Sequence, residues 1–279
     1  MTSVADEIHI KARERAPFSV MIILKSRWFL YAVSLTAFFL IWDYVAVRRI
    51  LGSAMARPYE VAIQLNTMMT DPLAGKSLFG HIWASTQRIL IGFAIGAALA
   101  TPLGLLMALN RHISAVVKPL FDLIKPMPPI AWISIAILWF GIGEPSKVFI
   151  IVIGTFVPCL LNSYNGVRLI DPQLYDVVRM LGGNRGDEIL HVSFPAAFPA
   201  IFAGLQISLS SAWSCVLAAE LVSARSGLGF ITLLGMTLSR PALILGGMVV
   251  IAIVAWVTTL LVTGLEKILC PWKRGVIDI

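Results

Sequence analysis

The residues best suited to intermolecular chemistry lie in one charged stretch, YDVVRMLGGNRGDEILHVSFP, at positions 175–195. It combines Asp176 and Arg179 with the pair Gly182-Gly183, and long apolar segments flank it on both sides. Charged side chains and loop backbone groups are costly in hydrocarbon, so this stretch must lie outside the bilayer. Its carboxylates and guanidinium groups offer ion pairing and hydrogen bonding to another protein, and not covalent chemistry.

Catalytic and cofactor-binding signatures are not evident elsewhere in the sequence. Gly75-Lys76-Ser77 has the ending of a phosphate-binding loop, but that motif needs a glycine where Thr70 stands. The four histidines are scattered, no His, Asp and Glu set has metal-ligand spacing, and no hydrolase or metalloprotease signature appears. We therefore predict that the chain is not an enzyme and has no cofactor or metal.

The composition indicates an integral membrane protein. Of the 279 residues, 58% are hydrophobic and 13% are charged, against about 25% charged in a soluble domain. Apolar runs reach the length of a membrane-spanning helix, about 20 residues, and lack the alternation of a barrel strand. The net charge of +7 comes without a long basic cluster. It indicates contact with membrane lipid and no nucleic acid partner.

An all-α integral membrane fold with about six transmembrane helices follows from the apolar runs. The expected spans are 28–47, 83–109, 127–143, 147–166, 199–222 and 243–265. Pro126, Pro128 and Pro129 exclude a regular helix at the start of the third span, which is expected to be broken or tilted. The segment PYEVAIQLNTMMTDP, between the first two spans, has helical spacing and is expected to lie on the membrane surface.

Charge decides the orientation of these spans. With six spans both termini share one side, and that side carries 14 of the 22 Lys and Arg residues, against 8 on the other. The positive-inside rule therefore places both termini and the 175–195 stretch in the cytoplasm. The predicted organisation is a cytoplasmic tail 1–27, a first transmembrane helix with an external surface segment 28–80, a membrane core 81–266 that contains 175–195, and a cytoplasmic tail 267–279.

Polar residues form a stripe along the fifth span. They are Gln206, Ser210, Trp213 and Glu220. At ~100° per residue they fall within an arc of about 80°. Polar and ionisable groups inside a span usually face a cavity or a partner, so we predict that this stripe lines a translocation path. Hydrogen bonding between helices is the alternative, with Glu220 paired to an arginine near the span end such as Arg225. Asn162, in the fourth span, is a further candidate.

Small residues recur at every fourth position of the second span. They are Gly92, Gly96, Ala100 and Gly104. This spacing lets two helix backbones approach closely in lipid. The partner is either another helix of the same chain or a second copy of the protein, and the sequence leaves both open.

The charged stretch itself is predicted to contain two short helices. Residues 174–181 form the first, which Gly182-Gly183 closes with a left-handed turn. The second starts at Arg185 and is expected to end at Pro195. An amphipathic helix tethered between two spans can dock in a groove of a partner and transmit a displacement. The alternative is an ordinary charged loop between helices.

The layout of this stretch resembles the cytoplasmic coupling loop of ABC-importer permeases, whose pattern is E-A-A-x3-G-x9-I-x-L-P. Asp176-Val177-Val178 matches E-A-A, Gly182 matches the glycine, and Val192, Phe194 and Pro195 match I-x-L-P. Asp replaces Glu and Val-Val replaces Ala-Ala, which keeps the charge sign and the apolarity. We call residues 175–195 the coupling loop.

The resemblance extends over more than half of the chain and points to the nitrate/sulfonate/taurine branch of these permeases. KPMPPIAWISIAILWFGIGEPSK at 125–147 is similar to its P-x-P-P-L-A-W and W-F-G-I-G-E segments. The matching stretches continue as FPAAFPAIFAGLQISL at 194–209, AWSCVLAAEL at 212–221 and SGLGF at 226–230.

Membership of this branch implies a type I ABC importer permease fold in a bacterial inner membrane. Two permease copies, here expected to be identical, would form the pathway, with two ATPase subunits beneath them and a periplasmic or lipid-anchored substrate-binding protein outside. ATP would be hydrolysed by the ATPase subunits and would drive alternating access. The residues that the resemblance assigns to the ATPase contact are Asp176, Val177, Val178, Arg179, Leu181, Gly182, Gly183, Arg185 and Pro195.

Two other classes of function compete with an importer subunit. A secondary carrier would need intramembrane ion-coupling residues and paired broken helices, and two corresponding halves are not evident. An integral membrane enzyme would need a cluster of His or carboxylates near a membrane face. The solute stays open, with a sulfonate-like or other small anion favoured. A dimer of two different permeases also stays open.

Overall fold

The computed structural model describes residues 27–50 and 52–272, and its regular elements there are helices. This confirms the all-α prediction. In chain order the elements are α1 (Arg27–Val47), α2 (Pro58–Thr70), α3 (Leu78–Leu109), α4 (Arg111–Ile124), a 3-10 turn (Pro129–Trp132), α5 (Ile133–Phe140), α6 (Glu144–Arg168), α7 (Pro172–Met180), α8 (Arg185–Asp187), a π turn (Glu188–Ser193), α9 (Phe194–Ser223), α10 (Leu228–Thr237) and α11 (Pro241–Leu269).

Five helical runs in the described residues are long and apolar enough to cross a membrane. They are α1, α3, α6, the continuous run from α8 to the end of α9, and α11. A sixth crossing is available if α4 and α5, which meet at an angle of 87°, count as one broken span. The break coincides with Pro126, Pro128 and Pro129, whose missing N–H groups interrupt the helical ladder. The predicted break in the helix at these prolines is therefore confirmed.

The chain divides into two compact units, Met1–Pro58 and Tyr59–Ile279. In the described part of the first unit, two contacts tie the segment after α1 back to that helix. The indole Nε1 of Trp42 donates to the carbonyl of Ala56 at 3.0 Å, and Arg57 forms an ion pair with Asp43 at 2.9 Å.

The second unit is built around α6, which packs against α3 on one side and α9 on the other. The small residues of α3 make the first of these contacts possible. A Cβ added at Gly92 would lie 2.6 Å from the Cβ of Ile151, and one at Gly96 would lie 2.8 Å from the Cβ of Thr155. At these two positions there is room for the hydrogen of glycine but not for a Cβ atom. The stripe therefore packs against another helix of the same chain, which was one of the two alternatives.

The prediction that Pro195 ends the second helix of the coupling loop is wrong. Helix runs without interruption from Arg185 to Ser223, and Pro195 lies in the first turn of α9. Pro195 has no N–H to donate to the carbonyl four residues earlier. The backbone widens into the π turn immediately before it, where the hydroxyl of Ser193 donates to the carbonyl of Glu188 at 3.3 Å. The proline thus marks a local widening within a continuing helix.

Candidate functional site

The first helix of the coupling loop is capped at both ends by its own sequence. The side chain of Asp171 accepts a hydrogen bond from the N–H of Gln173 at 2.9 Å, and Pro172 fills the first helical position. At the other end Gly182 has φ +81°, and the N–H of Gly183 donates to the carbonyl of Val178 at 2.9 Å. The predicted glycine-closed helix is confirmed.

Asn184 starts the second helix through a reciprocal cap. Its side-chain oxygen accepts from the N–H groups of Gly186 at 2.7 Å and Asp187 at 3.2 Å. The carboxylate of Asp187 accepts in return from the N–H of Asn184 at 2.8 Å. Sequence analysis overlooked this cap, which has Asp three residues after the capping residue where the usual signal has Glu or Gln. The two caps leave only Leu181 to Gly183 between the helices, so the turn is short and defined.

Arg179 ties the two helices of the coupling loop together. Its Nε donates to Glu188 at 2.6 Å, and its Nη1 lies 3.4 Å from the carboxylate of Asp176. This hydrogen bond to the Glu188 carboxylate raises the pKa of the Arg179 guanidinium above its ordinary value. Tyr175 adds a second link, because its hydroxyl lies 3.0 Å from that of Ser193. The acid and the arginine that sequence analysis singled out therefore stabilise the loop internally.

The tip of the coupling loop exposes large apolar side chains. Met180 is 85% exposed, Leu181 83% and Val177 53%, whereas Val178 turns inward and is half-buried. Pro195 is exposed at the start of α9. Arg185 leaves the loop and donates to the carbonyl of Leu109 at the end of α3, at 3.2 Å. The structure thus brings the loop residues into one two-helix unit with an exposed apolar tip.

The polar stripe of the fifth span is divided among different neighbours. Gln206 donates to Glu266 at 2.7 Å and the indole of Trp213 to Thr258 at 3.0 Å, so both face α11. Ser210 is exposed and bonds only the carbonyl of Gln206 in its own helix, at 3.4 Å, within the described residues. Gln206 and Trp213 therefore form hydrogen bonds between helices, which was the alternative to lining a translocation path.

Asn162 is half-buried at the contact between α6 and α9. Its amide donates to the carbonyl of Pro158 at 2.8 Å, and a Cβ added at Gly204 would lie 2.6 Å from its own Cβ. Asn162 therefore bonds its own helix and packs against α9.

An ionic cluster that sequence analysis missed joins α3, α6 and α9, and all its members except Glu144 are buried. The guanidinium of Arg88 contacts Glu220 at 2.6 Å and Glu144 at 2.5 Å, and it donates to the carbonyl of Ser226 at 2.8 Å. Lys147 adds a second cation 3.0 Å from Glu144. Glu220 is fully buried, and its partner is Arg88 and not Arg225. We therefore no longer assign Glu220 to a pathway.

The same cluster fixes the start of α10. The N–H of Gly229 donates to Glu220 at 2.8 Å and that of Leu228 to Ser85 at 2.8 Å. The N–H of Gly227 donates to Nδ1 of His81 at 3.1 Å, which leaves Nε2 of His81 to donate to the carbonyl of Leu73 at 2.9 Å. Three otherwise unpaired N–H groups of a helix start are thereby satisfied next to a carboxylate.

Comparison with known proteins identifies the family to which this architecture belongs. The family model described as "Binding-protein-dependent transport system inner membrane component" matches residues 100–275. The taurine transport system permease protein of Escherichia coli strain K12 is 29% identical over 238 residues, which cover 85% of this chain and 86% of that protein. The bicarbonate transport system permease protein of Synechococcus elongatus is 37% identical over 156 residues, 56% of each chain.

A solved structure has the same fold. The methionine ABC transporter MetNI, in inward-facing conformations, contains a chain that superposes with a TM-score of 0.59 at 16% identity, covering 68% of this chain and 94% of that one. The family match, together with the membrane-spanning helices, agrees with the resemblance that the motifs carry. The chain belongs to the binding-protein-dependent transport system inner membrane components, and it is a multi-pass permease subunit of an ABC importer.

Proposed function

We propose that two identical copies of this chain form the pathway of an importer for a small anion. Two separate ATPase subunits dock on the coupling loop and hydrolyse ATP, and a substrate-binding protein delivers the solute from outside. Both termini and the coupling loop lie in the cytoplasm. The 14-to-8 division of Lys and Arg residues supports this orientation.

One observation carries the ATPase contact. Met180, Leu181 and Val177 expose apolar side chains at the tip of a unit whose polar groups are already bonded to one another. An exposed apolar patch on a stiff, polar support is typical of a surface that a protein partner covers. The continuous helix from Arg185 to Ser223 leads from this tip into the membrane region. A displacement of the loop by the ATPase would therefore be passed directly to α9.

The exposed face of α9 supports its role in the pathway. Ser210 and Ser214 lie one helical turn apart on that face, beside Ile207 and Leu221. Two hydroxyl groups on the exposed side of a transmembrane helix suit a water-filled path better than lipid. We propose that this face borders the path between two permease copies.

The relatives support a small anion as the solute. One is named for taurine, which carries a sulfonate group, and the other for bicarbonate. These solutes share a compact negatively charged oxygen group. We propose a sulfonate-like or comparable small anion for this permease.

Uptake by reconstituted vesicles tests the proposed function. Vesicles that contain this permease and its ATPase, supplied with the binding protein, should accumulate radiolabelled taurine or a related sulfonate only when ATP is enclosed with the ATPase. Collapse of ion gradients by an ionophore should leave uptake unchanged. Uptake that proceeds without the ATPase and stops with the ionophore would identify a secondary carrier.

A further inference from the structure

A basic cleft of about 840 Å³ opens next to the coupling loop, between α3, α4 and α6. Among the described residues, four cationic side chains line it, together with one carboxylate, that of Asp122. The cations are Arg111, Lys118, Arg168 and Arg185. They come from three helices, α4, α6 and α8, so the charge is concentrated by tertiary structure and not by a run in the sequence.

The charges of the cleft are not balanced within the described part of the chain. Asp122 is shared by Lys118 at 2.5 Å and Lys125 at 2.8 Å. Arg168 donates to the hydroxyl of Tyr164 at 2.7 Å, which brings no charge. Arg111 has no ion-pair or hydrogen-bond partner for its guanidinium among the described residues. The arrangement leaves an excess of positive charge in a concave site, which favours an anionic ligand.

Helix α4 shows which kind of anion the cleft suits. Its cleft-facing residues are Arg111, Ser114, Ala115, Lys118, Pro119 and Asp122. At 3.6 residues per turn, Val116, Leu120 and Leu123 form a neighbouring sector, and all three are largely exposed. A helix with one basic sector and one exposed apolar sector is typical of the membrane interface. A headgroup in the cleft would place its acyl chains along that apolar sector.

We propose that this cleft binds the phosphate headgroup of an anionic phospholipid, with the acyl chains lying against Val116, Leu120 and Leu123. The four cations provide the charge-assisted hydrogen bonds that phosphate oxygens accept. Arg185 belongs to the coupling loop, so the bound lipid also contacts the residue that links this loop to α3. That consequence rests on the proposed role of the loop, whereas the lipid site itself does not.

The test compares phosphatidylglycerol with phosphatidylcholine on the permease–ATPase complex by native mass spectrometry. The double variant Arg111→Gln/Lys118→Gln should bind phosphatidylglycerol with about 25-fold lower affinity. Each cation near an anionic headgroup contributes roughly a fivefold factor to that affinity. Asp122 keeps Lys125 as a partner in this variant. The control Lys76→Gln/Arg240→Gln removes the same charge from two exposed residues outside the cleft and should retain the lipid. Equal retention by the two double variants would overturn the proposal.

A single variant and a competition with phosphate test the proposal independently of the double variant. Arg111→Gln alone breaks no bond within the described residues and should weaken phosphatidylglycerol binding about fivefold even if the double variant fails to fold. Displacement of the lipid by millimolar inorganic phosphate, with no preference for phosphatidylglycerol over phosphatidylcholine, would make the cleft a free-phosphate site and overturn the lipid assignment. Co-purification of the ATPase is measured on the same samples. Lipid loss with full ATPase recovery leaves the coupling loop assignment intact, because neither residue lies in that loop.

Discussion

The guanidinium of Arg88 and the carboxylate of Glu220 meet at 2.6 Å although they are 132 residues apart in the sequence. Glu220 is fully buried, and only 7% of the Arg88 side chain is exposed. A charge removed from water to this extent is stable only when it is paired and hydrogen-bonded. The pair therefore holds α3 against α9, and Glu144 extends the connection to the start of α6.

Removal of Arg88 should be one of the most destabilising single changes in this protein. Arg88→Gln leaves the Glu220 carboxylate buried without its cation, and loss of one partner of a buried pair costs roughly 3–5 kcal/mol. The free energy of unfolding in mixed micelles measures this. Arg225→Gln, a change at an exposed arginine close to the end of α9, should cost less than about 0.5 kcal/mol. Equal losses for the two variants would contradict the pairing.

Because α3 packs closely against α6, position 92 should tolerate no residue with a larger side chain than glycine. Gly92→Val places atoms where Ile151 already lies, and overpacking of this kind costs about 1–3 kcal/mol. Gly264→Val is the matched control, because Gly264 is also helical and has nothing within 4 Å of an added Cβ. Thermal unfolding should show a lower midpoint for the first variant alone. Tolerance of valine at Gly92 would show that α3 and α6 do not pack as described.

A bulky residue at Ser210 should block transport without preventing assembly. Ser210→Trp fills the space beside the exposed face of α9 and touches neither the coupling loop nor the ionic cluster. We expect loss of solute uptake with normal ATPase recovery and basal ATP hydrolysis. Met248→Trp, on an exposed position of α11, should transport normally. Wild-type uptake by Ser210→Trp would remove this face from the pathway.

Orientation can be tested at the turn of the coupling loop. Asn184→Cys, in a background that lacks Cys159, Cys215 and Cys270, should resist an impermeant thiol reagent applied to intact cells and react after the cells are opened. Lys76→Cys, assigned to the outer side, should react from outside. Ready labelling of the Asn184 position from outside would invert the proposed topology.

Much of the fold could be predicted because its signals are local. Span length, the proline-broken third span and the glycine turn at Gly182 each depend on a few neighbouring residues. Pro195 was misjudged because a helix can absorb a proline by widening its preceding turn, and that choice is set by packing. The Asn184 cap was also local, but its short motif was overlooked.

The ionic cluster could not be located in the same way. The sequence analysis did not single out Arg88, and it assigned Glu220 to a pathway or to a pair with Arg225. An arginine within a long apolar helix requires an acidic partner, and the available carboxylates were visible in the sequence. Which of them pairs with Arg88 depends on how α3, α6 and α9 pack, which no periodicity within one helix encodes. The division of the polar stripe among α11, the cluster and the exposed face has the same origin.

The most direct test of the account is recovery of the ATPase with a coupling loop variant. Gly182→Asp adds a charged side chain where φ is +81°, and its matched control Gly75→Asp meets the same φ of +81° and the same open space. Both variants carry a comparable backbone strain of about 1–2 kcal/mol, so only the location differs. We predict that Gly182→Asp inserts normally but recovers several-fold less ATPase than wild type, whereas Gly75→Asp recovers it fully. Wild-type recovery with Gly182→Asp, or equal losses from both variants, would contradict the assignment of residues 175–195 as the ATPase contact.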